Sequence, residues 1–137
     1  MKELRRQFDL PEYEVEELDA LGLNWETLKI GSKCWLLVHD FAVPAGYNAP
    51  TVTVAVEIPN GYPTAKLDMA YVYPVLSRLD GVPIPQVQAR MAIDVLQFQR
   101  WSRHYSGKNP YIPGEYTLRM HLILVEKWFE RELQKAA

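Results

Sequence analysis

The sequence predicts an α+β protein. It should hold a short N-terminal helix, an antiparallel meander of three to four strands, a long irregular connection and a C-terminal helix. Three observations carry this expectation. Residues 51–58, TVTVAVEI, alternate with period two, setting Val52, Val54, Val56 and Ile58 against Thr51, Thr53, Ala55 and Glu57. Residues 117–135, TLRMHLILVEKWFERELQK, place Leu118, Leu122, Val125, Phe129 and Leu133 at helical spacing, with Leu124 and Trp128 widening the stripe. The links between strand segments are short and hold Gly, Pro and Asn, which favours antiparallel neighbours.

In chain order, DLPEYEVEELDALGL reads as the first helix, with Asp9 as cap, Pro11 in the first turn and Gly22 as the stop. Val15, Leu18 and Leu21 share one face, and the acidic residues Glu12, Glu14, Glu16 and Glu17 lie toward the favourable end of the helix dipole. LKIGSKCWLLVHDF holds β-prone residues around a turn-like GSK. LDMAYVY alternates less sharply, with Met69, Tyr71 and Tyr73 opposite Asp68, Ala70 and Val72. PVLSRLDGVPIPQVQ, with three prolines, reads as irregular chain. Residues 88–98, QARMAIDVLQF, fit a helix or a strand. Thr117 is placed to cap the last helix, and Lys127, Arg131 and Lys135 sit toward its C-terminal end.

The chain has 137 residues, 48% hydrophobic and 23% charged, so residues 1–137 are expected to form one ordered domain. A net charge of −2 gives no global nucleic-acid or membrane footprint. The apolar runs are too short for a bilayer, and the acidic N-terminal stretch does not resemble a secretory signal. With one cysteine, Cys34, intramolecular disulfides and multi-cysteine metal sites are excluded, and a cytoplasmic location is the simplest expectation. No phosphate loop or dinucleotide fingerprint occurs, so no cofactor is expected.

Cys34 shares a strand face with Leu36 and Val38 and reads as a core residue rather than a nucleophile. His39 and Asp40 are adjacent in a strand, point to opposite faces and do not form a ready dyad. His104 and His121 are separated by a turn-back and could approach each other. Glu115 and Asp94 could add ligands, but no spacing demands a metal, and His121 fits equally well as a satisfied histidine between helix and sheet. Ser102 lies two residues before His104, which could act as its base if the backbone turns; no GxSxG context surrounds it. Arg90, Arg100, Arg103 and Lys108 interleave with Phe98, Trp101 and Tyr105. That composition fits a nucleic-acid surface, a protein-partner surface anchored by Arg100, Trp101, Arg103 and Tyr105, or plain intramolecular pairing.

TVTVAVEIPNGYP followed by LDMAYVYP resembles the strand–loop–strand core of ubiquitin-conjugating enzymes, with Ile58-Pro59 and Tyr62-Pro63 at the matching places. The series LDALGLNWETL, PAGYN, IPNGYP, DMAYVYP, QRWSRH, NPYIPGEYTLRMHL and VEKWFEREL resembles, from about Leu18 onward, prokaryotic family E of the E2/UBC superfamily. The resemblance implies a UBC-like fold. It also implies a bacterial pathway whose partners are a ubiquitin-like or multi-ubiquitin protein, an adenylating activating enzyme and a JAB-type metallopeptidase. Typical ubiquitin-conjugating enzymes carry a catalytic cysteine downstream of an HPN motif. This chain has neither HPN nor any cysteine after Cys34.

Two functions follow as expectations. In one, an E2-like component receives or positions an activated ubiquitin-like C-terminus without that cysteine, with His104, Ser102 and His121 as candidate catalytic residues. In the other, a non-catalytic UBC-like module scaffolds the activating enzyme and the ubiquitin-like protein. Nucleic-acid binding ranks below both, given the acidic total charge.

Overall fold

The computed structural model describes residues 3–105, 110–113 and 116–135. Its elements are α1 (Glu12–Ala20), β1 (Asn24–Ile30), β2 (Lys33–Ala42), β3 (Thr51–Ile58), β4 (Ala70–Tyr73), β5 (Arg90–Ile93), β6 (Leu96–Trp101) and α2 (Leu118–Leu133). The strands form one antiparallel sheet in the order β1-β2-β3-β4-β6-β5. The α+β outline stands, with six strands rather than three or four. Two segments account for the difference. The GSK turn splits the first strand candidate into β1 and β2, and the undecided residues 88–98 supply the β5–β6 hairpin.

The β5–β6 turn explains why that hairpin was hard to read. Asp94 and Val95 both take left-handed backbone angles, φ 50° and 62°. A two-residue hairpin needs this geometry, but the residues that signal it are Asn and Gly. A β-branched side chain there is strained.

Helix α1 begins at Pro11, not through a side-chain cap from Asp9. The Pro11 carbonyl accepts hydrogen bonds from the backbone N–H groups of Glu14 and Val15. At its end Gly22 N–H donates to Asp19 O and Leu23 N–H to Leu18 O, with Gly22 at φ +68°, a Schellman arrangement. Leu18 is buried, whereas Leu21, expected on the same inward face, is exposed. In α2 the Thr117 hydroxyl accepts from Met120 N–H at 3.4 Å, and buried Glu14 accepts from Leu118 N–H at 2.8 Å. One helix thus satisfies an otherwise orphaned donor at the start of the other.

The sheet buries both faces. Toward the helices, Leu36, Val38, Val52, Val54, Val56, Ala70, Val72 and Trp101 pack with Leu18, Leu118, Leu122, Val125, Trp128 and Phe129. The Trp101 and Phe129 rings meet edge to face, 4.9 Å apart. On the other face the sheet curls over a smaller cluster of Leu28, Trp35, Leu37, Ala55, Tyr71, Ile93 and Phe98. Arg5 spans the curl, pairing with Glu26 of β1 at 2.8 Å and with Asp94 of the β5–β6 turn at 2.6 Å. Cys34, expected in the core, is half-buried near the start of β2. Among the described residues no helix is long and apolar enough to cross a membrane.

Candidate functional site

The segment after β6 leaves the sheet beside the residues that lead into β4. Met69 N–H donates to the Arg103 carbonyl at 3.1 Å, so residues 68–69 and 102–105 lie side by side. Met69 takes a left-handed backbone, φ 55°. His104 Nδ1 sits 2.8 Å from Asp68 Oδ1, and His104 Nε2 sits 3.1 Å from Ser102 Oγ.

The proton positions follow from valence. An ionised Asp68 can only accept, so Nδ1 carries the proton; in the neutral ring Nε2 then accepts from the Ser102 hydroxyl. This is the arrangement of a hydroxyl activated by an oriented imidazole. The His104 side chain is 53% exposed and that of Asp68 35%, so the group opens to solvent and to large partners.

The site therefore unites Ser102 and His104, and adds Asp68, which sequence reasoning did not select. The only sequence signal for Asp68 was its place at the start of the strand segment LDMAYVY. Its pairing with His104 required knowing that β4 and β6 are neighbours.

His121 belongs to a different, interior setting. It is fully buried. Its Nε2 lies 2.8 Å from Met69 O and its Nδ1 2.7 Å from Tyr105 Oη. A carbonyl can only accept, so Nε2 carries the proton and Nδ1 accepts from the Tyr105 hydroxyl. Burial holds the imidazole below its ordinary titration range, which keeps it neutral. His104 and His121 thus flank the Asp68–Met69 dipeptide and are not bonded to each other.

The four expected interface anchors are largely turned inward. Trp101 is fully buried, and its indole N–H donates to Gln99 Oε1 at 2.9 Å. Arg103 pairs with buried Glu132 at 3.1 Å and lies 5.0 Å from the Trp101 ring centre. Tyr105 is buried among Tyr111, Tyr116 and His121. Arg100 is half-buried in β6, opposite Tyr71. Lys108 and Glu115 lie outside the described residues. Asp94 is engaged by Arg5, and Arg90 Nη1 donates to the Val87 carbonyl at 2.8 Å. Among the described residues no group of three or more His, Cys, Asp or Glu could hold a metal ion.

The backbone donors nearest the Ser102 hydroxyl are already used. Ser102 N–H donates to Gln86 O at 3.1 Å and Arg103 N–H to Trp101 O at 3.0 Å. An open cleft of about 440 Å³ shares Tyr105 with the site and is lined also by Thr64, Lys66, Pro110, Tyr111 and Pro113.

His39 takes its partners from neighbouring strands rather than from adjacent Asp40. A bulge between Val38 and Phe41 interrupts the β2–β3 register. There His39 Nε2 meets Glu26 and Nδ1 lies 3.0 Å from Thr53 Oγ1. Its neighbour Asp40 instead accepts from Asn24 at 3.3 Å.

An antiparallel sheet framed in sequence by an N-terminal and a C-terminal helix, with a polar constellation where the chain enters β4 and leaves β6, has the architecture of the UBC-like class. The family model for prokaryotic E2 family E matches residues 10–132, and the chain belongs to that family. Its role is accordingly E2-like. No curated protein and no solved structure matches the chain.

Proposed function

We propose that this protein accepts the activated C-terminus of a ubiquitin-like protein on Ser102 as an oxyester and passes it to an acceptor. The single observation supporting this reading is the Asp68–His104–Ser102 relay, with contacts of 2.8 and 3.1 Å, in a family whose typical relatives use a cysteine that this chain lacks downstream of β4.

The chemistry balances without a cofactor. Ser102 Oγ attacks the carbonyl carbon of the C-terminus, held by an adenylating activating enzyme as an acyl adenylate or thioester. The hydroxyl proton moves to His104 Nε2 while the Oγ–C bond forms. The bond to the activating group breaks, and its electron pair leaves with AMP or with the thiolate, to which His104 can return the proton. Asp68 stabilises the imidazolium formed in between. An acceptor nucleophile then attacks the oxyester and regenerates the Ser102 hydroxyl. The cleft beside Tyr105 offers an approach for an extended tail, with Lys66 available to a carboxylate or oxyanion. Because the Ser102 and Arg103 N–H groups are spent, much of the oxyanion stabilisation falls to side chains or to the docked partner.

The test mixes the protein with its activating enzyme, ATP and the ubiquitin-like protein. The expected product is an adduct stable to thiols, cleaved by alkali or hydroxylamine, and mapped to Ser102 by mass spectrometry. Absence of an adduct, together with retained binding to the activating enzyme, would favour the non-catalytic scaffold. The occupied backbone donors are the observation on that side.

A further inference from the structure

We infer that His121 is a positioning residue: through the Met69 carbonyl it fixes the backbone that aims Asp68 at His104. The inference rests on the oxyester reading for its functional meaning, but its geometry stands separately.

The Asp68–His104 contact is open to solvent, and an exposed contact of this kind contributes little order of its own. Something else must hold the two groups in register. Met69 provides the means. Its left-handed φ of 55° turns the chain so that the Asp68 side chain faces His104 while the Met69 carbonyl faces the interior. A non-glycine residue in that region is strained and persists only where surrounding bonds over-determine it.

Two bonds do so here. Met69 N–H is taken by Arg103 O at 3.1 Å, and Met69 O by His121 Nε2–H at 2.8 Å. The second bond requires the Nε2–H tautomer. The acceptor-only Met69 carbonyl selects it, and the Tyr105 hydroxyl, able to donate or accept, completes it by donating to Nδ1 at 2.7 Å. Tyr105 also follows His104 directly, so the chain that carries the base also carries the group that pairs the second ring nitrogen of its support. A closed circuit results: His104 to Asp68, Met69 to His121, and His121 back to Tyr105. The two His121 links lie in the interior, where breaking either would leave a buried polar atom unpaired, so they hold together. Burial lowers the titration point of His121 and so favours the neutral ring that both bonds use.

The test compares His121→Leu, His121→Gln and Tyr105→Phe with the wild-type protein and with Asp68→Asn. Long-range ¹H–¹⁵N spectra of the His104 ring report which nitrogen carries the proton. Wild type should show the Nδ1–H form facing Asp68. Asp68→Asn should lose it. His121→Leu should lose it equally although it leaves Asp68 in place. His121→Gln, whose amide can still donate near the Nε2 position, should recover most of it. Tyr105→Phe leaves His121 Nδ1 without its donor and loosens the hold on the ring, and should give a mixed population. In the conjugation assay, adduct formation at Ser102 should fall about 10- to 100-fold in His121→Leu, the scale expected when a reacting group is displaced by about 1 Å, and recover in His121→Gln. An unchanged His104 spectrum in Tyr105→Phe and in whichever His121 variants fold overturns the inference; should His121→Leu not fold, Tyr105→Phe decides. If wild type forms no Ser102 adduct while the spectra shift as described, the oxyester reading fails and the positioning role survives.

Discussion

This chain assembles a hydroxyl, an imidazole and a carboxylate in two places, and the two differ in every respect that governs reactivity. Thr53, His39 and Glu26 meet inside the curl of the sheet; Ser102, His104 and Asp68 meet at its rim. In the first group the His39 side chain is 26% exposed and Glu26 is fully buried, with its carboxylate already claimed by Arg5. Burial alone would raise the Glu26 titration point. Hydrogen bonds from Arg5 and His39 outweigh it and hold the group at about 2. The hydroxyl belongs to mid-strand Thr53 and meets Nδ1 of its imidazole. In the second group the hydroxyl is that of a serine just past the end of β6 and meets Nε2 of an exposed imidazole. Composition is the same; access, ring orientation and a carboxylate not already neutralised by an arginine are what separate a site from a staple.

The comparison breaks most sharply on the nucleophile. Ser102→Ala should abolish the alkali-labile adduct, whereas Thr53→Ala should leave it at the wild-type level; denaturing gels before and after alkali distinguish the two. Asp68→Asn should slow single-turnover adduct formation about 100-fold, at the lower end of what a positioned acid–base group contributes, with little change in unfolding midpoint because both partners are exposed.

The interior group should answer in stability instead. Arg5→Ala leaves buried Glu26 with only His39 and the residue-5 N–H as partners and should cost about 2 kcal/mol in urea unfolding while adduct chemistry persists under native conditions. Its pH signature has a definite sign. Glu26 is held below its ordinary value of 4.5, so its stabilisation is complete above that pH and drains away as pH falls toward 2. Wild type should lose stability across that window, and Arg5→Ala should show a flattened or reversed slope. The smallest expected effect is Val95→Gly, which relieves a left-handed β-branched residue that is 98% exposed. It should raise the unfolding free energy by about 1 kcal/mol and leave both constellations intact.

Periodicity revealed β3 and α2 nearly to their ends, because each packs one regular face against the core. The β5–β6 hairpin was not legible: its turn uses Asp and Val where the conformation favours Asn and Gly. Ser102, His104 and His121 stood out by residue type, but their partners did not, since Asp68 is 36 residues from His104 and Met69 is 52 from His121. At His39 local sequence set aside the adjacent Asp40, but the partners it does take, Glu26 and Thr53, come from the bulge and cross-strand neighbours. Trp101 and Arg103 have the chemistry of docking anchors, but Phe129 and Glu132 of the last helix claim them.

Arg5 bolts together residues 89 positions apart, the beginning of the chain to a hairpin near its end. Affinity tags, fusion partners or proteolytic trimming at the first few residues would therefore be felt at the opposite margin of the sheet. Expression formats that crowd Arg5 should loosen the β5–β6 hairpin long before they disturb the nearer helix.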